Sequence, residues 1–343
     1  MNVIALVALS CCAAALMAAA GWYLVRVRMP RPPVGVYVSG DIAVLSVCVV
    51  LAPLLYLALP GVAVSALFGL VLCLAAQFTL APVCGNRWAW WVALAATALT
   101  VALVGRPVAV RVCTDVLLAV AVVGVANLWA QSGMRSAHVA AFAAALSCYD
   151  LVATALTHVT SDFVTQVQDR PFAPLLALTG GRLPVAVGLG DLLLLLVFPL
   201  VAAKAFGRPA ALLAAGVGVV VTSVIGLLFA LGTLTAGFPL LTALGPLIVV
   251  QHLIWTRRTG GERTTASWRS GSATPSTRPD RRRPDPQITA ALAVNVPEEL
   301  PEGTWLAVND GRVIGTGSTP GLARRDAGLR DTEVPPVVRQ TQP

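Results

Sequence analysis

Nine apolar runs, each about as long as a bilayer is thick, leave this chain little choice but a bundle of membrane-spanning helices. They lie near residues 2 to 25, 41 to 59, 61 to 83, 88 to 105, 112 to 131, 136 to 158, 183 to 206, 209 to 235 and 237 to 255. The hydrocarbon core offers no partner for a free backbone N–H or C=O, so spans of this kind are helical. Most connections are short, which predicts antiparallel neighbours. Composition agrees: 57% of residues are hydrophobic and 12% charged, with a mean hydropathy of +0.79, whereas soluble domains carry roughly 25% charged residues. The expected fold class is an all-α polytopic membrane protein, with nine transmembrane helices in residues 1–255.

The first run lacks a basic leader, and Arg26, Arg28 and Arg31 follow it, so a retained first helix is expected rather than a signal peptide. With the N-terminus outside, inside loops carry seven basic residues (Arg26, Arg28, Arg31, Arg87, Arg135, Lys204, Arg208) and outside loops four (Arg106, Arg111, Arg170, Arg182). That bias predicts a multi-pass protein of the cell membrane with its tail in the cytoplasm. Trp88, Trp90 and Trp91 look like an interfacial belt, and Lys204 like a snorkelling cation. Ala214, Gly218, Thr222 and Gly226 recur every four residues and predict a close helix contact. The seven cysteines all fall in or beside apolar runs and are read as packing residues rather than disulfides.

Beyond residue 255 the pattern changes. Residues 256–297 are rich in Arg, Pro, Ser and Thr, the composition of a disordered linker. Its basic charge, like that flanking the spans, favours anionic lipid over nucleic acid. Residues 298–340 alternate apolar and polar positions around Asn309, Asp310 and Gly311, which predicts a hairpin. A helix over GLARRDAGLR and an extended VPPVVR complete a very small cytosolic α+β module.

Two acids inside the apolar runs need an explanation. Asp150 lies in SCYDLVATAL and Asp191 in GLGDLLLL. Placing a carboxylate at the centre of a span costs about 3 kcal/mol even on lenient insertion scales. If the sixth run ends near 158 and the seventh starts near 183, each acid lies eight residues from the same membrane face, about 12 Å deep. Antiparallel neighbours then bring them side by side, where two carboxyls share a proton and can polarise water and a carbonyl together. Gly188 and Gly190, around Leu189, leave room for close approach of a substrate backbone. The connection from Val159 to Arg182 is expected not to span, with Phe172 to Leu178 resting on the membrane surface. Pro184 and Pro199 bracket the seventh run and are expected to bend it.

Three motifs together, SCYDLVATAL, GLGDLLLL and GFPLLTALGPL, resemble those of the presenilin and signal peptide peptidase family of GxGD intramembrane aspartyl proteases. The family places Tyr-Asp on its sixth helix, Gly-Xaa-Gly-Asp on its seventh and Pro-Ala-Leu on its ninth, in a bundle of nine. The matching residues are Tyr149 and Asp150, Gly188 to Asp191, and Pro239, Leu240 and Leu241, with leucine at 240 where the family usually has alanine. The resemblance covers mainly residues 136–255. It implies hydrolysis of transmembrane helices or signal-peptide remnants within the bilayer, with Asp150 and Asp191 as the catalytic pair. Tyr149, the glycine motif and residues 239–241 would support the substrate, and no cofactor is implied. Either aspartate can serve as the base, and oligomeric state is left open.

Other readings of the pair are a proton or ion site in a transporter or channel, or a prepilin-peptidase-like protease. Against the last, Leu193 stands where those enzymes typically carry a lysine. His138, His158 and His252 have no metal-ligand spacing, and Asp115 reads as a polar group near a helix end.

Overall fold

The computed structural model describes residues 3–29, 39–157, 159–167, 170–176, 186–231, 233, 240–269, 305–309, 312–318, 322–323, 326 and 337–339. The chain divides into two units, Met1–Ser276 and Thr277–Pro343.

The first unit is built from α1 (Val3–Arg26), α2 (Ser39–Leu57), α3 (Gly61–Cys84), α4 (Asn86–Ala102), α5 (Pro107–Gln131) and α6 (Ser136–Leu151). It continues through α7 (Val159–Val167), α8 (Leu189–Phe206), α9 (Arg208–Ala230), α10 (Leu240–Thr259) and the short α11 (Thr265–Arg269). Pro107 and Pro209 sit in the first turns of α5 and α9, where a missing N–H leaves no helical bond unmade. The long helices are apolar on their outer faces too: Val44, Val47, Leu51, Leu54 and Leu55 of α2 are all exposed. A helix hydrophobic all round belongs in lipid.

Eight of the described helices, α1, α2, α3, α5, α6, α8, α9 and α10, are long and apolar enough to cross a membrane. This is the pattern of a multi-pass membrane protein. The remaining apolar run of the sequence folds as α4, whose 17 residues fall just short of the 18 of the shortest spans, α6 being continued by its π-turn to a span of 19 residues ending at Thr154.

At the centre stands α8, against which α1, α5, α6, α9 and α10 pack, with every residue from Leu194 to Ala202 buried. The small-residue stripe of α9 faces inward as expected, with Ala214, Gly218, Thr222 and Gly226 all buried. A Cβ at Gly218 would lie 2.7 Å from Leu195 Cδ1, so the helices touch where the side chain is absent. Lys204 does not snorkel. It is 2% exposed, and its Nζ donates to Ala130 O at 2.8 Å and Met134 O at 2.6 Å, completing the C-terminal end of α5. Of the seven unpaired cysteines only Cys73 is buried; Cys12 and Cys113 are half-buried and the other four are exposed, so packing into the protein core does not account for most of them.

The sixth and seventh runs fold differently from a pair of plain helices. The α-helical ladder of α6 ends at Leu151 and widens into a π-helical turn over Val152–Leu156, which Thr157 closes with extended backbone (φ −135°). The connection contains α7, and Phe172, Ala173, Pro174 and Leu176 are buried in the bundle rather than laid on its surface. Leu175–Leu176 (β1) pairs antiparallel with Val187–Gly188 (β2), with Leu175 opposite Gly188. The seventh helix therefore starts at Leu189 and not near 183, because Val187 and Gly188 spend their backbone groups on a strand partner. Asp191 lies in the first turn of α8 instead of eight residues deep. Pro199 is within α8, and Pro184 lies outside the described residues.

The predicted linker also begins too early. α10 continues to Thr259 and α11 follows, while residues 270–297 lie outside the described residues.

In the second unit, β3 (Trp305–Asn309) and β4 (Arg312–Gly317) form the expected hairpin, with Asn309 opposite Arg312 and a register shift between Ala307 and Val308. The extended end is a third strand, β5 (Val337–Arg339), antiparallel to β3. Among the described residues of this unit, Leu306, Ala307 and Ala323 are buried.

Candidate active site

Asp150 sits in the last turn of α6, directly before the π-helical turn, and Asp191 in the first turn of α8. Both are partly buried, and they are close enough for the charge of Asp150 to act on Asp191. The common depth expected from two uninterrupted helices is not what joins them. Each acid instead lies where its helix borders irregular backbone, a π-turn after Asp150 and a strand before Asp191. π-turns of this kind are frequent beside functional residues.

The hydrogen bonds of the two carboxyls are unequal. Asp150 Oδ1 accepts from the Thr154 hydroxyl at 3.3 Å, one helical turn on, and that hydroxyl is also 3.1 Å from Thr160 Oγ1. Asp150 Oδ2 accepts from the backbone N–H of Leu241 at 3.1 Å, and the N–H of Thr242 also donates to this carboxyl. Asp191 Oδ2 accepts from one backbone donor, the N–H of Gly188, at 3.3 Å. That bond closes the first turn of α8 on itself.

The glycine motif bridges strand and helix. Gly188 ends β2 with extended backbone, and Leu189, half-buried against the core, opens α8 with its N–H donating to Pro174 O at 3.0 Å. A Cβ at Gly188 would lie 3.2 Å from Asp191 Oδ2, a tight fit. A Cβ at Gly190 would meet nothing within 4 Å, so this glycine borders open space beside the pair.

The strand that pairs with the motif is anchored by Phe172. This residue adopts φ +62°, a left-handed conformation that costs a non-glycine residue of order 1 kcal/mol or more. Its N–H donates to Thr114 Oγ1 at 3.2 Å, and its ring fills the space over Gly69, where a Cβ would lie 2.8 Å from Phe172 Cδ2. The Ser65 hydroxyl donates to Pro171 O on the same segment. α3 and α5 thus hold the loop that carries β1.

On the third side, Leu240 and Leu241 open α10 and are each 7% exposed. Leu241 O accepts from Ser147 Oγ at 2.7 Å while its N–H donates to Asp150, so both backbone groups of one α10 residue are bound to α6, to the acid and to the residue one turn before it. Gly245 permits the approach, since a Cβ there would lie 1.7 Å from Ser147 Oγ and 2.8 Å from Ala143 O. Pro239 lies outside the described residues. Tyr149 is half-buried beside Asp150 and feels its charge, but its hydroxyl makes no hydrogen bond among the described residues. Asp115 is buried on α5 beside Cys12 of α1, apart from the pair.

Sequence reasoning therefore brings together Asp150, Asp191, Gly188, Leu189, Gly190, Leu240 and Leu241, and passes over Ser147, Thr154, Thr160, Thr242 and Phe172. Of these only Thr154 carried a readable signal, its i+4 spacing from Asp150. Asp150 thus has donors from its own helix and from α10, while Asp191 has one backbone donor and lies next to the open side of Gly190. No family model, curated protein or solved structure matches this chain.

Proposed function

We propose that the chain is an intramembrane aspartyl protease of the GxGD type, resembling the presenilin and signal peptide peptidase family, and that it hydrolyses transmembrane helices or signal-peptide remnants. The observation that carries this reading is the convergence of three motifs distant in sequence: Asp150, Asp191 with its glycines, and the Leu241 N–H that Asp150 accepts. In a transporter the pair needs water or ion access from both sides, and nothing in that role calls for a backbone donor from a third helix.

Asp150, oriented by three donors, is the carboxylate that takes a proton from water as the water oxygen attacks the scissile carbonyl carbon. Asp191 carries the shared proton and gives it to the carbonyl oxygen, forming a gem-diol. Asp150 then passes its proton to the amide nitrogen as the C–N bond breaks. Asp191 recovers a proton from one of the diol hydroxyls, which returns the pair to its starting state. The exposed side of Gly190 and the short β1–β2 ribbon receive a locally unwound substrate backbone. In this reading α4 is the ninth span, the protein lies in the cell membrane with its N-terminus outside, and the chemistry needs no cofactor.

The test is reconstitution of the purified protein with a fluorescent transmembrane peptide. Wild type should cleave it, and Asp150→Asn and Asp191→Asn should not. Proton or solute flux into sealed vesicles that depends on both acids, without cleavage, would select the transporter instead. Cleavage confined to prepilin-type leader peptides would select the prepilin-peptidase reading.

A further inference from the structure

The chain just after α10 reaches back to both helices that carry the aspartates. Gly260 and Gly261, at φ +72° and +147°, reverse its direction. Glu262 then places its carboxylate on the N-terminus of α6, where Ser136 N–H donates to Oε2 at 2.8 Å and Ala137 N–H to Oε1 at 3.0 Å. The next residue serves the opposite pole of the other helix. Arg263 N–H donates to Ala205 O at 3.1 Å, and its Nη2 donates to Ala203 O, also at 3.1 Å, at the C-terminal end of α8. His252 of α10 completes the contact, with Nδ1 2.9 Å from Ser136 Oγ and 3.7 Å from Glu262 Oε1.

Each charge has the sign that its helix end favours, an anion at an N-terminus and a cation at a C-terminus; Glu262 takes two first-turn N–H groups, and Arg263 adds a bond to Ala203 O, which also accepts from Gly207 N–H, and one to Ala205 O. The placement is symmetrical about the site. Ser136 precedes Asp150 by 14 residues and Phe206 follows Asp191 by 15, or about 21 and 22 Å of helix. The acids lie at one end of two antiparallel helices and the two caps at the other.

We propose that Glu262 and Arg263 form a clasp that sets the axial register of α6 against α8, and are thereby positioning residues for Asp150 and Asp191. Two caps on adjacent residues cannot move independently. A slip of one residue shifts a helix by about 1.5 Å, enough to take a 3.0 Å hydrogen bond beyond its range. The clasp bears on hydrolysis only through the protease reading, but the register it sets is measurable without turnover.

The test uses the full-length chain in membranes with Asp150→Cys and Asp191→Cys, joined by a short bifunctional thiol reagent. The single-cysteine variants supply the baseline, because Cys148 is exposed nearby. Glu262→Ala with Arg263→Ala should lower the yield of the 150–191 cross-link about fivefold, the scale expected for loss of a helix cap. Exchanging the charges, Glu262→Arg with Arg263→Glu, should lower it at least as far, and Glu262→Asp with Arg263→Lys should restore most of it. If the alanine pair fails to accumulate, Glu262→Gln is read in its place. An unchanged yield in an inserted variant overturns the clasp. A lowered yield in a chain whose wild type cleaves no peptide keeps the clasp and removes only the protease reading.

Discussion

The backbone N–H of Leu241 donates to Oδ2 of Asp150 at 3.1 Å, across 91 residues of sequence and between two different helices. The carbonyl of the same residue accepts from Ser147, so the position of α10 and the orientation of the acid are tied together. Side-chain changes that leave this backbone in place should alter rate before they alter fold.

Thr154→Val removes the hydroxyl that Asp150 Oδ1 accepts and keeps the side-chain volume. A hydrogen bond to a charged group contributes about 1.5–3 kcal/mol, so kcat should fall about tenfold or more with KM little changed. Thr154→Ser should recover most of the rate. Steady-state kinetics on the transmembrane peptide checks both, and equal rates for all three proteins would remove Thr154 from the site.

Gly190→Leu adds a side chain where nothing lies within 4 Å. Thermal unfolding in detergent should change by less than about 1 kcal/mol, as for surface substitutions. Cleavage should stop or move to a different bond, read by mass spectrometry of the products. An unaltered cut at an unaltered rate would show that substrate does not approach along this glycine.

Gly245→Ala drives a methyl group into Ser147 Oγ and to 2.8 Å from Ala143 O. Overpacking of this kind costs about 1–3 kcal/mol. Ser147→Ala in the same chain should return part of that loss, leaving the contact with the Ala143 carbonyl. A double-mutant cycle on thermal stability measures the coupling.

Phe172→Ala empties the space over Gly69 and should lower stability by about 3 kcal/mol, the range for deleting a buried aromatic ring. The effect should also reach the ribbon. Hydrogen exchange at the Leu189 amide, which donates to Pro174 O, should speed up more than exchange in the middle of α8.

Which residues were legible in the sequence follows from the kind of physics that places them. Hydropathy locates the spans because lipid acts on composition, and the acids stand out because their burial is costly. Val187 and Gly188 are apolar and read as part of the helix that follows; only pairing with Leu175 and Leu176, with Phe172 seated between α3 and α5, makes them a strand. Apolar periodicity does not show the π-turn after Asp150, since widening one turn leaves composition untouched. The bonds from Ser136 to Glu262 span 126 residues, and no local pattern announces them. The expectation that Asp150 and Asp191 lie side by side assumed two uninterrupted helices, and the structure has a π-turn after one acid and a strand before the other.

The seam between α6 and α10 has a mechanical consequence. With Ser147 Oγ in the space that a Cβ at residue 245 would fill, these two staves have no slack and move as a single wall. α2 is the opposite case, since only 6% of its span is buried. If the barrel of helices is forced wider, the thinnest joint yields first and the seam last. Under the proposed function, the route by which a bilayer-embedded chain reaches Gly190 is then a matter of uneven stiffness around the bundle, with no separate door required.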